Sequence, residues 1–541
     1  MKAKWVVSFL ALILCIGAGY RIRQNEHPTP SAPLQVPSKV TLTLITDTNR
    51  DRPMRLEQDG VFLMSANAWR RGLASIKSHL TAELRARGRV RCADKDACAW
   101  LGNPEANAAG PENAVITVIS AQNWPDEATS DRSDASSTNE WSISIPISSQ
   151  RTHGLVAGTI HLDYLPLKVT STSTRRDHLL ASNDLDALVL APLTKKSSQV
   201  RQINGQLARS ADQVASDIEY SDALFVAQTL LKYGALVSIV LMMLGRHMLA
   251  RLLITCVIFV MITAASSVFV LAAVPDFRGL LLAGVIGLMF SIAVWRCPAN
   301  SEINVLVGCL LGDVITGGYL GSFAGVGANP VVGARYYGLG NELSALLFGA
   351  VLGLHLSKTS PIVLILGIVV VLVGHPGLGA NGGDMMAVLI AIVVYSVFKG
   401  GKNAIVIALG IMGAVLAVVV WDAFLAPASM QSHIGRLVAS AGTGLVDLVT
   451  SKIAAHFRLM TTSIWGISSL ISIGWWMLRL KRNGLRLDLT TIVGLCLYLL
   501  NDSGPVSLTL FTLVSMLTDD DRLSIYQWTQ AFSRKAFVNE A

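Results

Sequence analysis

From residue 223 onward, long apolar runs alternate with short polar or glycine-rich turns. The runs occupy 223–244, 251–274, 279–295, 303–323, 341–357, 361–375, 384–398, 403–425 and 461–479. A last apolar stretch, 487–517, is interrupted at Asn501-Asp502-Ser503-Gly504-Pro505. A helix needs about 20 apolar residues to cross the hydrocarbon core of a bilayer. No soluble arrangement accommodates so many runs. The pattern predicts a polytopic α-helical membrane protein with about 10–12 membrane segments.

The chain before residue 223 has a different texture. Two lysines in Met1–Lys4 precede the apolar run Trp5–Gly19, and Arg21 and Arg23 come after it. Residues 1–22 therefore read as a signal anchor or signal peptide, which exports the region beyond it. Residues 24–38, rich in Pro, Ser and Gln, read as a linker. Lys39–Asp47 (KVTLTLITD) alternates as a half-buried strand does. Residues 72–88 predict a helix, 114–120 and 141–147 two further strands, and Leu185–Leu193 (LDALVLAPL) a buried strand. Residues 125–140, rich in Ser, Asp and Thr, predict a loop, and 200–222 a polar helix leading to the first long run. Strands alternating with helices predict a small extracytoplasmic α/β domain over 23–222. The multi-pass helical region spans 223–517, and 518–541 form a polar tail.

Composition fits this division. Of 541 residues, 52% are hydrophobic and 15% charged, against about 25% charged in soluble domains. The formal charge of +8 sits mainly in short loops and not in a basic tract with interleaved aromatics. It therefore points to membrane topology and away from a nucleic-acid partner. With 23–222 outside, the inner loops hold ten cations: Arg246, Arg251, Arg296, Lys358, Lys399, Lys402, Arg479, Lys481, Arg482 and Arg486. The outer loops hold five: Arg278, Arg335, Arg436, Lys452 and Arg458. The excess lies on the cytoplasmic side, as the positive-inside rule requires, and places the chain in the cytoplasmic membrane. Leu445, Val449, Ile453 and Phe457 recur every four residues, with Asp447, Lys452 and Arg458 elsewhere, which predicts an amphipathic helix on the outer surface. Cys92 and Cys98 are the only cysteines of the exported region. They can form a disulfide in an oxidising space. The other five lie in or beside apolar segments as small packing residues.

Three polar motifs interrupt the apolar region: Gly333–Glu342 (GARYYGLGNE), Gly374–Asp384 (GHPGLGANGGD) and Asn501–Pro505 (NDSGP). Irregular backbone at membrane depth is tolerated only inside protein or beside a water-filled cavity. Helices broken at such residues build binding sites in transporters. The topology places the first two motifs on the outer side, where the third meets them if 487–517 is a broken helix.

Each charged or polar member has two readings. Arg335 can grip a carboxylate or phosphate through its planar fork, or anchor at headgroups beside Tyr336 and Tyr337. Asn341 lies in the same motif. Glu342 can be a general base, a cation ligand or the partner of Arg335. His375 can relay a proton or be an ordinary loop residue. Asn381 and Asp384 can ligate a cation or hydrogen-bond a sugar, while Asp384 can instead cap a helix beginning at Met385. Asp313, inside an apolar run, is a candidate for proton or ion coupling, or a contact of Thr316 or Tyr319. Asp502 is a candidate substrate group or a turn residue. In the exported region Asp47, Asp51, His153, His161, Asp163, Asp177 and His178 have ligand chemistry but no compact metal-ligand spacing.

As a set, RYYGLGNE, GLGANGGD and NDSG resemble motifs of a group of bacterial multi-pass membrane proteins. Members often carry an N-terminal extracytoplasmic domain akin to the alkaline phosphatase superfamily. The resemblance covers mainly residues 300–517. KVTLTLITD resembles the first strand of that superfamily, which ends on a metal-binding Asp, here Asp47. RLEQDGVFLMSANAWRRG resembles the helix and strand that come next, and Asp177-His178 a late ligand pair. The region is much shorter than such enzymes, so the resemblance implies a degenerate binding or scaffold domain.

Three functions are expected in order. The first is binding and translocation of a polar or anionic, envelope-related substrate, lined by Arg335, Tyr336, Asn341, Glu342, His375, Asn381, Asp384 and Asp502, with Asp313 or His375 coupling protons or ions. The second is an outer-leaflet transferase acting on a lipid-linked envelope precursor. The third is a non-catalytic envelope scaffold.

Overall fold

In a computed structural model, the described residues are 31–33, 39–45, 61–85, 89–103, 105–106, 108–109, 114–121, 140–146, 155–162, 165–166, 169–171, 176–177, 180, 182–194, 200–203, 211–245, 249–258, 301–318, 337–354, 361–426, 431–432, 445–482, 484–485, 487–501 and 503–518, with isolated positions 16, 285, 289, 321, 435, 438 and 439. The protein is predominantly helical, with a small α/β region towards its N-terminus.

The strands are β1 (Ser31–Pro33), β2 (Lys39–Ile45), β3 (Val61–Ser65), β4 (Val90–Cys92), β5 (Ile116–Ala121), β6 (Glu140–Pro146), β7 (Leu155–Leu162), β8 (Leu165–Pro166), β9 (Val169–Ser171), β10 (Arg176–Asp177) and β11 (Val200–Ile203). The larger sheet runs β3-β7-β6-β2-β5-β4, with β8 beside β7. Its centre is parallel, β2 lying between β5 and β6, while β7 is antiparallel to both β6 and β3. A second, antiparallel sheet runs β1-β11-β9-β10.

Alternation in β2 explains its place. Val40, Leu42 and Leu44 are fully buried, and Thr43 on the opposite face is buried as well, so both faces are covered. Helix α1 (Ala66–Arg85) brings Trp69, Ile76 and Leu80 to this core. The short α2 (Lys95–Trp100) starts at Asp94, whose carboxylate accepts from the Ala97 N–H at 2.8 Å. It carries Cys98, which is disulfide-bonded to Cys92 of β4.

One expected strand is absent. Leu185–Leu193 forms helices α3 (Ser182–Val189) and α4 (Ala191–Thr194). Leu185, Leu188 and Val189 are buried at helical spacing, and a short apolar run does not by itself distinguish a buried strand from a buried helix. The expected helix at 200–222 also divides, into β11 and the first part of α5 (Ala211–Met243).

The remaining helices are α6 (Ser301–Thr316), α7 (Asn341–Gly353), α8 (Pro361–Gly374), α9 (Gly382–Tyr395), α10 (Gly401–Val420), α11 (Leu445–Thr462), α12 (Ile464–Arg482), α13 (Leu489–Leu500) and α14 (Gly504–Thr518). A π-helical turn, Ser396–Gly400, joins α9 to α10, and a second, Trp421–Leu425, comes after α10. Among the described residues, two segments are long and apolar enough to cross a membrane, Gly382–Lys399 and Lys402–Leu425. The other apolar helices are shorter. At about 1.5 Å per residue, the 13 residues of α7 and the 12 of α13 span less than a bilayer core. The expected stretch 487–517 is two helices separated at Asn501–Ser503. Most of the expected segment 251–274 and all but two isolated positions of 279–295 lie outside the described residues.

Helix α7 packs along α14 and α6, α9 along α13 and α8, and α12 along α14 and α5. Phe348, Phe511, Val388, Val493 and Leu497 are buried in their shared core. The outward faces are apolar too. Val226, Leu230, Tyr233 and Val237 form an exposed stripe on α5, and Val406, Leu409 and Leu416 one on α10.

The Cys92–Cys98 crosslink closes a short loop, so replacing both residues by serine is expected to destabilise the α/β region by about 2 kcal/mol. Thermal unfolding of the full chain, followed on both proteins, measures this. An unchanged transition would show that the crosslink does not stabilise the fold.

Candidate functional site

The starts of three helices converge on one buried polar network. Helix α7 begins at Asn341, α9 at Gly382 after its cap Asn381, and α14 at Gly504 after Asn501 and Ser503. At the centre is Asp384, with no exposed surface. One of its carboxylate oxygens accepts from the Ser344 hydroxyl and, at 2.8 Å, from the Asn381 amide. The other accepts from the Asn501 amide. The asparagines are linked in turn. The Asn341 amide donates to Asn501 Oδ1 at 2.6 Å and to Ser503 Oγ at 2.9 Å, and the Asn381 amide to Asn341 Oδ1 at 3.1 Å. Ser507 accepts from Asn501 at 3.4 Å. Asn381, Ser344, Ser507 and Asn501 are all buried.

Local sequence explains this convergence. The GHPGLGANGGD motif ends α8 and folds back on it. The N–H groups of Gly379 and Asn381 donate to Leu372 and Val373 carbonyls, and Ala380 adopts a left-handed φ of 49°. Asn381 then caps α9 by accepting from the Asp384 N–H at 3.2 Å. The RYYGLGNE turn docks against this loop and against the end of α6 through backbone hydrogen bonds, besides the Asn341 side chain. Leu339 N–H donates to Gly379 O at 2.6 Å and Gly338 N–H to Gly317 O at 3.1 Å. Gly338 is required here: its φ is +76°, and a β-carbon would stand 2.4 Å from Gly379 O.

Helix α11 lies beside the network with Lys452 and His456 on its partly buried side. His456 Nδ1 is 3.3 Å from the Asn501 carbonyl, and its ring packs edge-on against Tyr498 at 5.0 Å. Lys452 stands one turn earlier. Its Nζ is 3.8 Å from where a β-carbon on Gly383 would sit, in the first turn of α9. The expected amphipathic helix is thus present, but Val449, Ile453 and Phe457 face outward.

The structure brings together Asn341, Asn381 and Asp384. Glu342 is next to Asn341 in the first turn of α7, where a helix start favours a carboxylate. Arg335, Tyr336 and Asp502 lie outside the described residues, though Asn501 and Ser503 on either side of Asp502 are both in the network. Asp384 is not the cap of a helix beginning at Met385: α9 starts at Gly382, Asn381 is its cap, and Asp384 is the central acceptor.

Asp313 and His375 stand apart from the network. Asp313 is buried and accepts from the Gly321 N–H at 2.9 Å, fixing the chain after α6. His375 accepts from the Gly377 N–H at 3.1 Å and stacks on Trp421 at 5.4 Å. Beside that tryptophan, the buried Asp422 accepts from the N–H of Ser432 at 2.8 Å and from its hydroxyl. Of the ligand-type residues of the N-terminal region, Asp47, Asp51, His153, Asp163 and His178 lie outside the described residues.

Ser344, Lys452, His456, Asn501, Ser503 and Ser507 are the additional residues at the site. Asn501 and Ser503 flank Asp502 in its motif, and Ser344 lies three residues after Asn341, the spacing that shares a helix face. His456 has no sequence signal beyond its place four residues after Lys452.

Comparison with protein-family models, curated proteins and solved structures finds no match to this chain.

Asn501→Ala removes one donor from Asp384 and one acceptor from Asn341, both in a buried network. The expected loss is about 1–3 kcal/mol, with non-additive coupling to Asn341→Ala in a double-mutant cycle of thermal unfolding. Additivity would mean that the two amides do not act as a unit. Gly338→Ala should destabilise far more than Gly410→Ala, since a β-carbon on Gly410 meets nothing within 4 Å. Equal melting of the two variants would remove the role given to the Gly338 turn.

Proposed function

We propose that this chain is a multi-pass protein of the cytoplasmic membrane that binds and translocates a polar or anionic, envelope-related substrate at the Asn341–Asn381–Asp384–Asn501 network. The observation that carries this reading is the meeting of three interrupted helices on one buried carboxylate. In a bundle lined by aliphatic side chains, such a network is expensive to bury. Its placement at the ends of short helices matches the way broken helices form substrate sites in transporters.

The membrane setting has its own support. Large apolar residues recur on the outward faces of α5, α10 and α11, whereas Asn, Ser and Asp lie inside. An exposed apolar surface of this extent calls for an apolar surrounding. The short helices then contribute as half-spans in pairs, such as α13 with α14. The Cys92–Cys98 disulfide suits an oxidising space, hence residues 23–222 outside.

A second reading, an outer-leaflet transferase using a lipid-linked donor, is favoured by Lys452 and His456 standing beside the network. An amine and an imidazole are suited to holding phosphate and moving protons.

The test is binding and flux with reconstituted wild type, Asp384→Asn and Asn501→Ala, scanning small anions and envelope precursors. Flux in wild type and its loss in both variants is the expected result. Binding accompanied by a chemically altered product but no flux selects the transferase. Undiminished binding and flux in both variants would reject the site.

A further inference from the structure

Helix α11 carries large apolar residues on its exposed side, and Lys452 and His456 stand with Leu459 and Met460 on its partly buried side. Val446, Ile453 and Phe457 are 77%, 62% and 69% exposed. Lys452, His456 and Leu459 occupy the partly buried side, at the i, i+4, i+7 spacing of one helix face. Outward apolar residues and inward cationic and imidazole groups therefore share four turns of helix.

The contact of His456 with Asn501 sets which nitrogen of the neutral ring carries the proton. A backbone carbonyl only accepts, so the contact of Nδ1 with Asn501 O requires a proton on Nδ1. The lone pair of the neutral ring is then on Nε2, for which no partner is found among the described residues. The seat of the ring is also built. A β-carbon on Gly504 would lie 2.7 Å from His456 Cε1 and 2.0 Å from the Tyr498 carbonyl, so the start of α14 is shaped to receive this ring. The Asn501 carbonyl thus orients the imidazole, as the second partner of a functional histidine commonly does.

At the centre of the network Asp384 is held by donors. Both its oxygens accept donors from Ser344, Asn381 and Asn501. The groups that α11 adds are one ammonium and one imidazole nitrogen, next to the starts of α9 and α14. Helix starts favour negative charge. Nε2 accepts from a P–OH group or, once protonated, donates to a phosphoryl oxygen.

We infer that Lys452 and His456 form the phosphate-binding element of the site, and that the substrate is a phosphate-bearing lipid whose headgroup passes under α11 while its chain lies along the helix's outward apolar side. This rests on the binding reading above and names its substrate class. The lipid, rather than a free anion, is selected by the outward face, where Val446, Ile453 and Phe457 offer contact to an acyl or prenyl chain.

The experiment measures binding of a short-chain polyprenyl monophosphate, the matching polyprenol and inorganic phosphate to the full chain in nanodiscs. Wild type is compared with Lys452→Gln, Lys452→Arg, His456→Gln and Asn501→Ala. The phosphorylated lipid should bind wild type best. Lys452→Gln and His456→Gln should each weaken it by about tenfold, the scale of one charge-assisted hydrogen bond. Lys452→Arg should retain most of the affinity, which separates charge from fold, and polyprenol binding should be insensitive to all three α11 changes. Wild-type affinity in both Gln variants, with loss in Asn501→Ala, overturns the assignment of α11 and leaves the network as the site. Unchanged binding in every variant overturns both. Inorganic phosphate binding as tightly as the lipid, and equally sensitive to Lys452→Gln, overturns the lipid as the substrate class.

Discussion

A carboxylate with no exposed surface constrains the whole helical region. Burying an ionised group in an apolar bundle is costly unless it is met by donors. Asp384 is met by a serine hydroxyl and two asparagine amides from three separate helix starts. Those donors reach it only if α7, α9 and α14 all begin within a few ångströms of it. The breaks at 337–340, 375–381 and 501–503 are therefore consequences of one interaction. The positive ends of three helix dipoles face the same carboxylate and add to its stabilisation.

The backbone contacts around this centre serve the same end. Gly338 lets its loop touch Gly379 without a side chain between them, Gly379 lets the chain fold back on Val373, and Gly504 leaves room for His456. A β-carbon would meet Gly379 O at Gly338, the Val373 backbone at Gly379, and the Tyr498 carbonyl at Gly504. Rigid placement of short helices is thus achieved by close backbone approach, and the aliphatic and aromatic core of Phe348, Phe511 and Val493 fills the remaining volume.

Burial on the inside and apolarity on the outside give the bundle its character. Polar atoms are gathered in the network, in the serines of α12 and at the Asp422 turn. The outer faces of α5, α10 and α11 carry large aliphatic and aromatic residues. Helix α11 links the two regimes, because it presents its apolar side outward and its amine and imidazole to the network. A proposed substrate with a charged head and an apolar tail fits that division without rearrangement of the core.

The sequence alone determined the order of the apolar segments and the breaks at 375–381 and after Leu500. Run length and glycine-rich punctuation are local properties, so α7, α8, α9, α10 and α12 were legible, as was the interruption after Leu500. The alternation of β2 was equally plain, β5 and β6 were legible as strands, and so was the Cys92–Cys98 pair. The apolar run at 185–193 was ambiguous because strand and helix bury it equally well, and only its packing beside α1 chose the helix. The site was partly legible: Asn341, Asn381 and Asp384 stood out as polar groups in apolar surroundings. What the tertiary structure alone decided was which polar residues meet. Asn501 of the NDSGP motif entered the network, and His375 and Asp313 accept from N–H groups of residues close to them in the chain. Lys452 and His456 joined from a helix that sequence read only by its apolar stripe. A network spanning 160 residues of chain depends on how helices turn about their axes, and that is set by packing, which no local pattern encodes.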